Sequence, residues 1–167
     1  MELQQNEYGR EGTCFCNLVN AEIEFELCDD ETPEAYGEKC AEAVGNMPPE
    51  LIRDILEAAK RYCLFFTNLC RESAGEQFDP DEFPPVTEDT PAEEMRKYFS
   101  ISGVCVDDPD DPAQIGYRLS GECDWEIEHG IEADILDGKL VYLGAFEMNS
   151  PWAEPDPDNE WNFANKN

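Results

Sequence analysis

GYRLSGECDWEIEHGIEADILDGKLVYLGAF, residues 116–146, reads as three short antiparallel strands, and the fold class follows from it. Tyr117 and Leu119 stand two apart in the first strand, Gly116 to Cys123, and Ile131, Ala133 and Ile135 alternate through the second. A period of two sends alternate side chains to opposite faces of a sheet. Asp137-Gly138 is the strongest hairpin-turn signal in the chain, because a two-residue turn that follows the twist of its strands needs positive φ at both positions. Leu140, Tyr142 and Ala145 carry the third strand. Between the first two, Trp125-Glu126-Ile127-Glu128-His129-Gly130 forms a corner.

Working outward, residues 101–106 add a strand, and the acidic, proline-broken run Asp107 to Pro112 leads from it into the meander. At the other end of the chain, Thr13 to Val19 and Glu22 to Cys28 read as a hairpin. Ile23, Phe25 and Leu27 give its second arm a buried face, and Glu22, Glu24 and Glu26 an acidic one. Residues 1–12 are a polar lead-in. Thr32-Pro33 opens a helix, with Thr32 as cap, and Gly45 stops it. Pro48-Pro49-Glu50 starts a longer helix to about Arg71, whose core face is Ile52, Ile55, Ala59, Cys63, Phe66 and Cys70. Its second half, Tyr62 to Phe66, is apolar nearly all round and implies cover on two sides, from the sheet and the first helix. Thr90-Pro91-Ala92-Glu93 has the pattern of a capping box before a short helix to Tyr98.

The expected fold is α+β: an antiparallel sheet, made of the hairpin and the C-terminal three-stranded meander, packed against two or three helices. The 167 residues are enough for one domain, 1–167, with a real core. Two segments stand apart in composition: an acidic, proline-rich excursion at 74–90, and an extended tail from about 153 onto which Trp161 and Phe163 offer docking points.

Forty acidic residues against 11 basic ones give a net charge of −29. The acids are spread along the chain: residues 1–75 hold 16, residues 76–114 hold 12 and residues 115–167 hold 12. Such a surface disfavours nucleic acid, whose binding rests on Lys and Arg neutralising phosphates, and anionic membranes. It attracts a basic protein partner and speeds the encounter; the plainer reading is solubility alone. The N-terminal residues lack the basic and apolar regions of a signal peptide, and no segment nears the ~20 apolar residues of a membrane span, so a cytoplasmic location is expected. The eight cysteines show no tight framework and are expected as reduced, mostly buried thiols.

His129 is the only histidine. Asp124, Glu126, Glu128 and Glu132 stand near it in sequence, the raw material of a general base or a metal ligand. Zinc sites take three or four His or Cys ligands, and no G-x-S-x-G elbow supplies a nucleophile. Strand alternation lets Glu126 and Glu128 share a face that His129 does not. The expected role of His129 is therefore a structural hydrogen bond, with Gly130 in a conformation that favours glycine. No catalytic residue, metal ligand or cofactor is assigned. Asp156, Asp158 and Glu160 have the alternate spacing of half a calcium loop, but Trp161 stands where that loop needs glycine and no Glu closes it. Cys14-x-Cys16 is a single short thiol pair at strand spacing, a weak metal signal.

Trp125-x-x-Glu128-His129-Gly130, followed by Ile131 and by Asp137 to Gly144, resembles a family of bacterial domains of unknown function that carry a W-x-x-E-H-G corner between strands. The resemblance implies a bacterial cytosolic protein of α+β build, with Trp125, Glu128, His129 and Gly130 as its hallmark, and it supplies no activity. In composition the chain is also similar to immunity proteins, which neutralise basic toxin domains. The leading expectation is a non-enzymatic binding protein, immunity-like or inhibitory, that steers a basic partner electrostatically and docks an aromatic anchor at Trp125, Trp152 or Trp161. The alternatives are a hydrolase-like or divalent-metal-dependent enzyme using His129 with nearby carboxylates, and a DNA mimic with acids in two rows.

Overall fold

The computed structural model describes residues 1–164 and shows an α+β fold built on one sheet of seven strands. The strands are β1 (Gln4–Gln5), β2 (Arg10–Cys16), β3 (Ala21–Leu27), β4 (Phe99–Val106), β5 (Gly116–Cys123), β6 (Ile131–Leu136) and β7 (Lys139–Gly144), and they lie in sequence order. The two helices, α1 (Glu34–Gly45) and α2 (Pro49–Ala74), fall between β3 and β4. That placement explains the single parallel pair. Neighbouring antiparallel strands need only a turn, whereas β3 and β4 run parallel and need a long crossover, which the helices supply.

β2 and β3 form the expected hairpin, and β5 to β7 the expected meander, with Asp137 and Gly138 at φ +49° and +77° in its turn. β1 lies within the polar lead-in and differs from the expected loose segment: its two residues pair with Arg10 and Glu11, too short a strand to carry a period. Both helix starts also differ from expectation. Thr32 does not cap α1: its hydroxyl donates to Asp108 at 3.3 Å, and the first carbonyl of the helix belongs to Pro33. Thr90 does not cap the next segment either. Its hydroxyl accepts the N–H of Thr87 at 2.9 Å, and Ala92–Lys97 is a 3-10 turn in which Arg96 pairs with Glu93.

The helices cover one face of the sheet. Ile23, Phe25 and Leu27 of β3, Val104 and Val106 of β4, Tyr117 and Leu119 of β5, and Ile131, Ala133 and Ile135 of β6 are buried in a single cluster with Tyr36, Cys40 and Val44 of α1 and Leu51, Ile55, Ala59 and Tyr62 of α2. The second cover over the end of α2 comes from the C-terminal residues, not from α1. Phe163 is buried with its ring stacked on Tyr62 at 5.1 Å, and Trp161 meets Phe65 edge-on at 5.1 Å. Arg61 donates to the carbonyls of Phe163 and Ala164, at 2.7 and 3.2 Å. This return also covers the outer edge of β7: Phe163 N–H donates to Leu143, and the Asn162 amide bonds both Leu143 N–H and the Val141 carbonyl. An exposed strand edge invites pairing with other chains, so both sheet edges are managed here, one by cover and one by a two-residue strand. The excursion at 74–90 holds two 3-10 turns, Gly75–Gln77 and Pro80–Glu82. Phe78 stacks on Phe83, and Arg71 lies over the Phe78 ring at 4.9 Å.

Candidate functional site

The Trp125 to Gly130 corner is built as a turn around one carboxylate. Glu126 is buried, and its Oε1 accepts the N–H groups of Glu128 at 3.0 Å and His129 at 3.4 Å. Its Oε2 meets His129 Nδ1. Gly130 has φ +69°, and a Cβ there would stand 2.3 Å from the Gly121 carbonyl, so only glycine fits. Because the segment is a turn rather than a strand, alternation does not govern it: the ligand atoms of Glu126, Glu128 and His129 lie within 4.8 Å of one another, contrary to the expectation that His129 faces away. His129 keeps 60% of its side chain exposed. Trp125 is 2% exposed and packs edge-on against Tyr62 and Phe99, so its ring belongs to the core and not to a contact surface. Trp152 is half-buried against Gly116, and Trp161 is partly exposed beside Phe65.

The other face of the sheet is polar from edge to edge, and the strand register shows why. Glu11 of β2 pairs with Glu26, Glu26 with Cys105, Cys105 with Arg118, Arg118 with Asp134 and Asp134 with Tyr142, one row crossing six strands. The next row runs Thr13, Glu24, Gly103, Ser120 and Glu132. Over β2 to β4 this face is open. A groove of about 810 Å³ there is lined by Glu2, Glu11, Glu22, Glu24 and Glu26, with Ser102, Gly103 and Ser120 also in its wall, and its described lining includes no Lys or Arg. A second hollow, of about 1110 Å³, adjoins it across Thr13, Glu22, Glu24 and Ser102 and adds Val19, Phe99 and Ile101. No tryptophan is among the described residues lining either one.

Over β5 to β7 the same face is roofed by residues 147–152. Glu132 is wholly buried, and its carboxylate accepts three backbone N–H groups, from Glu147, Met148 and Asn149, at 2.8–3.0 Å. Arg118 donates to the Asn149 carbonyl and stands 3.8 Å from Asp107. Asp134 is 1% exposed, and neither of its oxygens accepts a hydrogen bond from a donor among the described residues. Burial, then the neighbouring Glu132 charge, pushes its carboxyl up to about 8 against the opposing pull of Arg118. Burial raises Glu132 as well, with the three N–H donors working the other way. Sequence reasoning missed this cluster. The Ile-Glu-Ala-Asp-Ile alternation of β6 has the form of an ordinary solvent face, and only the returning loop buries it.

The cysteines also differ from expectation. Cys28 and Cys105 are joined in a disulfide, with Cα atoms 6.3 Å apart. They lie 77 residues apart in sequence, and the parallel pairing of β3 with β4 is what brings them together. The other six are free; Cys14 and Cys16, the one pair at strand spacing, are both buried, and burial lifts the Cys14 thiol to about 11. That disfavours the thiolate a metal needs. Asp156 and Asp158 form a tight turn in which Asp156 accepts the Asp158 N–H at 2.9 Å.

No helix among the described residues is long and apolar enough to cross a membrane. No curated protein and no solved structure matches the chain. A family model described as Domain of unknown function (DUF6985) matches residues 1–150, a span that takes in all seven strands, both helices and most of the roof over Glu132 and Asp134. The chain therefore belongs to the DUF6985 domain family.

Proposed function

We propose that this is a non-enzymatic binding protein, immunity-like or inhibitory in action, that receives a basic protein partner on the open half of its sheet. The observation that carries the reading is the groove over β2 to β4, with five glutamates and no Lys or Arg among its described lining residues. Glu22, Glu24 and Glu26 project from alternate positions of one strand, so their carboxylates repeat about every 6.8 Å. An extended segment bearing Lys or Arg at alternate positions has the same repeat. Gly103, Ser102 and Ser120 keep the wall beside the glutamates low, and the adjoining hollow at Val19, Phe99 and Ile101 suits an apolar anchor from the partner. The net charge of −29 steers such a partner in from a distance, the more so at low salt.

The test compares two baits, the wild-type chain and a Glu22→Gln, Glu24→Gln, Glu26→Gln variant, against lysate of the source cell at low and high salt. A basic protein retained by the wild type at low salt, released by high salt and lost from the variant is the expected result. Equal retention by both baits, or retention indifferent to salt, refutes the reading.

The convergence of Glu126, Glu128 and His129 within 4.8 Å favours a second reading, a divalent-ion-dependent hydrolase-like enzyme. Under it His129→Ala abolishes a metal-dependent turnover without unfolding the chain. An activity unmoved by that change counts against it.

A further inference from the structure

We infer that Glu26, Cys28 and Cys105 form a binding site for a soft divalent cation of the zinc class, closed by the disulfide when oxidised and opened by reduction. Cys28 directly follows β3, two residues beyond Glu26, and Cys105 is the register partner of Glu26 on β4. The two sulfurs are bonded to each other in the disulfide, and the Glu26 carboxylate oxygen lies within 4.8 Å of both. Reduction frees the sulfurs to move apart, as a tetrahedral ion with bonds of about 2.0–2.3 Å to carboxylate oxygen and thiolate requires. The Cα separation of 6.3 Å lies within the span that lets two cysteines meet on one atom or on each other.

Two further features suit a cation here. All three residues are half-buried, so the site is reachable from solvent yet held by two paired strands. Glu11, Glu22 and Glu24 on the same open face raise the local cation concentration. Two thiolates and one carboxylate select zinc-like ions over calcium or magnesium, which take oxygen ligands. Three protein ligands leave a fourth position to water or to a partner's side chain.

The redox step balances with a dithiol as reductant. The Cys28–Cys105 bond breaks, two electrons and two protons pass to the protein sulfurs, and the reductant closes into its own disulfide. The cation then replaces both thiol protons, which leave to solvent. The site does not depend on the partner-binding proposal, and its test contains no partner.

The experiment uses the full chain, reduced with a dithiol under anaerobic conditions, freed of reductant and titrated with Co²⁺. A thiolate-to-cobalt charge-transfer band should grow to saturation at one equivalent of Co²⁺, be abolished by Zn²⁺ and be missing from the oxidised chain. The band should vanish in Cys28→Ser and in Cys105→Ser, and Glu26→Gln should weaken binding about tenfold or more. Cys70→Ser and His129→Ala should leave it unchanged. As a check independent of variant folding, Zn²⁺ should protect Cys28 and Cys105 of the wild-type chain from alkylation, read by peptide mass mapping. The inference fails if fully reduced protein gives no thiolate-to-cobalt band, if either serine variant keeps it, if Glu26→Gln binds as the wild type does, or if Zn²⁺ leaves both cysteines open to alkylation.

Discussion

Asp134→Asn should remove a pH dependence of stability that the wild type carries between about pH 5 and pH 8. With its carboxyl raised to about 8, native Asp134 holds a proton across this range, whereas the unfolded chain releases it near the ordinary value of about 3.9. The native state therefore binds more protons than the unfolded state, and stability falls as pH rises. The contribution is whole below the unfolded value and is lost as pH climbs through the folded one. At about 1.4 kcal/mol for each pH unit in which only the native state is protonated, the loss between pH 5 and pH 8 reaches about 3–4 kcal/mol as a ceiling. Asparagine has nearly the shape of the protonated acid and no proton to lose. The assay is urea unfolding followed by tryptophan fluorescence, with buried Trp125 as reporter, at several pH values and constant ionic strength. The wild-type chain also carries 39 other acidic residues whose mutual repulsion grows with pH, so the informative quantity is wild type minus variant. That difference should move by more than about 2 kcal/mol in favour of the variant on going from pH 5 to pH 8. A difference constant to within about 0.5 kcal/mol refutes the protonated Asp134.

Gly130→Ala combines φ +69° with a Cβ placed 2.3 Å from the Gly121 carbonyl, and it should cost about 3 kcal/mol or more, read as a lower urea midpoint. Phe163→Ala removes a buried ring stacked on Tyr62 and should cost about 3–5 kcal/mol. The same change should speed hydrogen exchange at the Leu143 amide, which is now held by Asn162.

The meander was legible because its information is local. Asp137-Gly138 dictates its own turn, and Ile131, Ala133 and Ile135 announce a buried face whatever lies beyond them. Ile23, Phe25 and Leu27 do the same for β3. What sequence reading missed depends on contacts between distant segments. Cys28 and Cys105 meet only because a crossover of about 70 residues sets β3 beside β4 in parallel. The caps failed for a related reason: the Thr32 hydroxyl has a tertiary partner in Asp108, and a local motif cannot show that the side chain is already engaged. The corner at 125–130 departs from strand alternation because it is a turn, which gathers consecutive residues instead of separating them.

The polar face of the sheet treats its carboxylates in two ways, and the contrast constrains what the open half can accept. Over β6, Glu132 tolerates complete burial because three backbone N–H groups and a nearby guanidinium meet it, while Asp134, without such donors, is held protonated. Over β3, Glu22 and Glu24 stand exposed and Glu26 half-buried, with water as their solvent. Any body that covers them strips that water, at a cost of several kcal/mol for each carboxylate left unpaired. Among the described residues no roof offers them donors, so an occupant must bring its own, as guanidinium or ammonium groups at the spacing of the row or as a cation at Glu26. A neutral or acidic surface of equal shape is rejected by the same term, which makes the open glutamates a filter for the charge of the partner as much as a source of attraction.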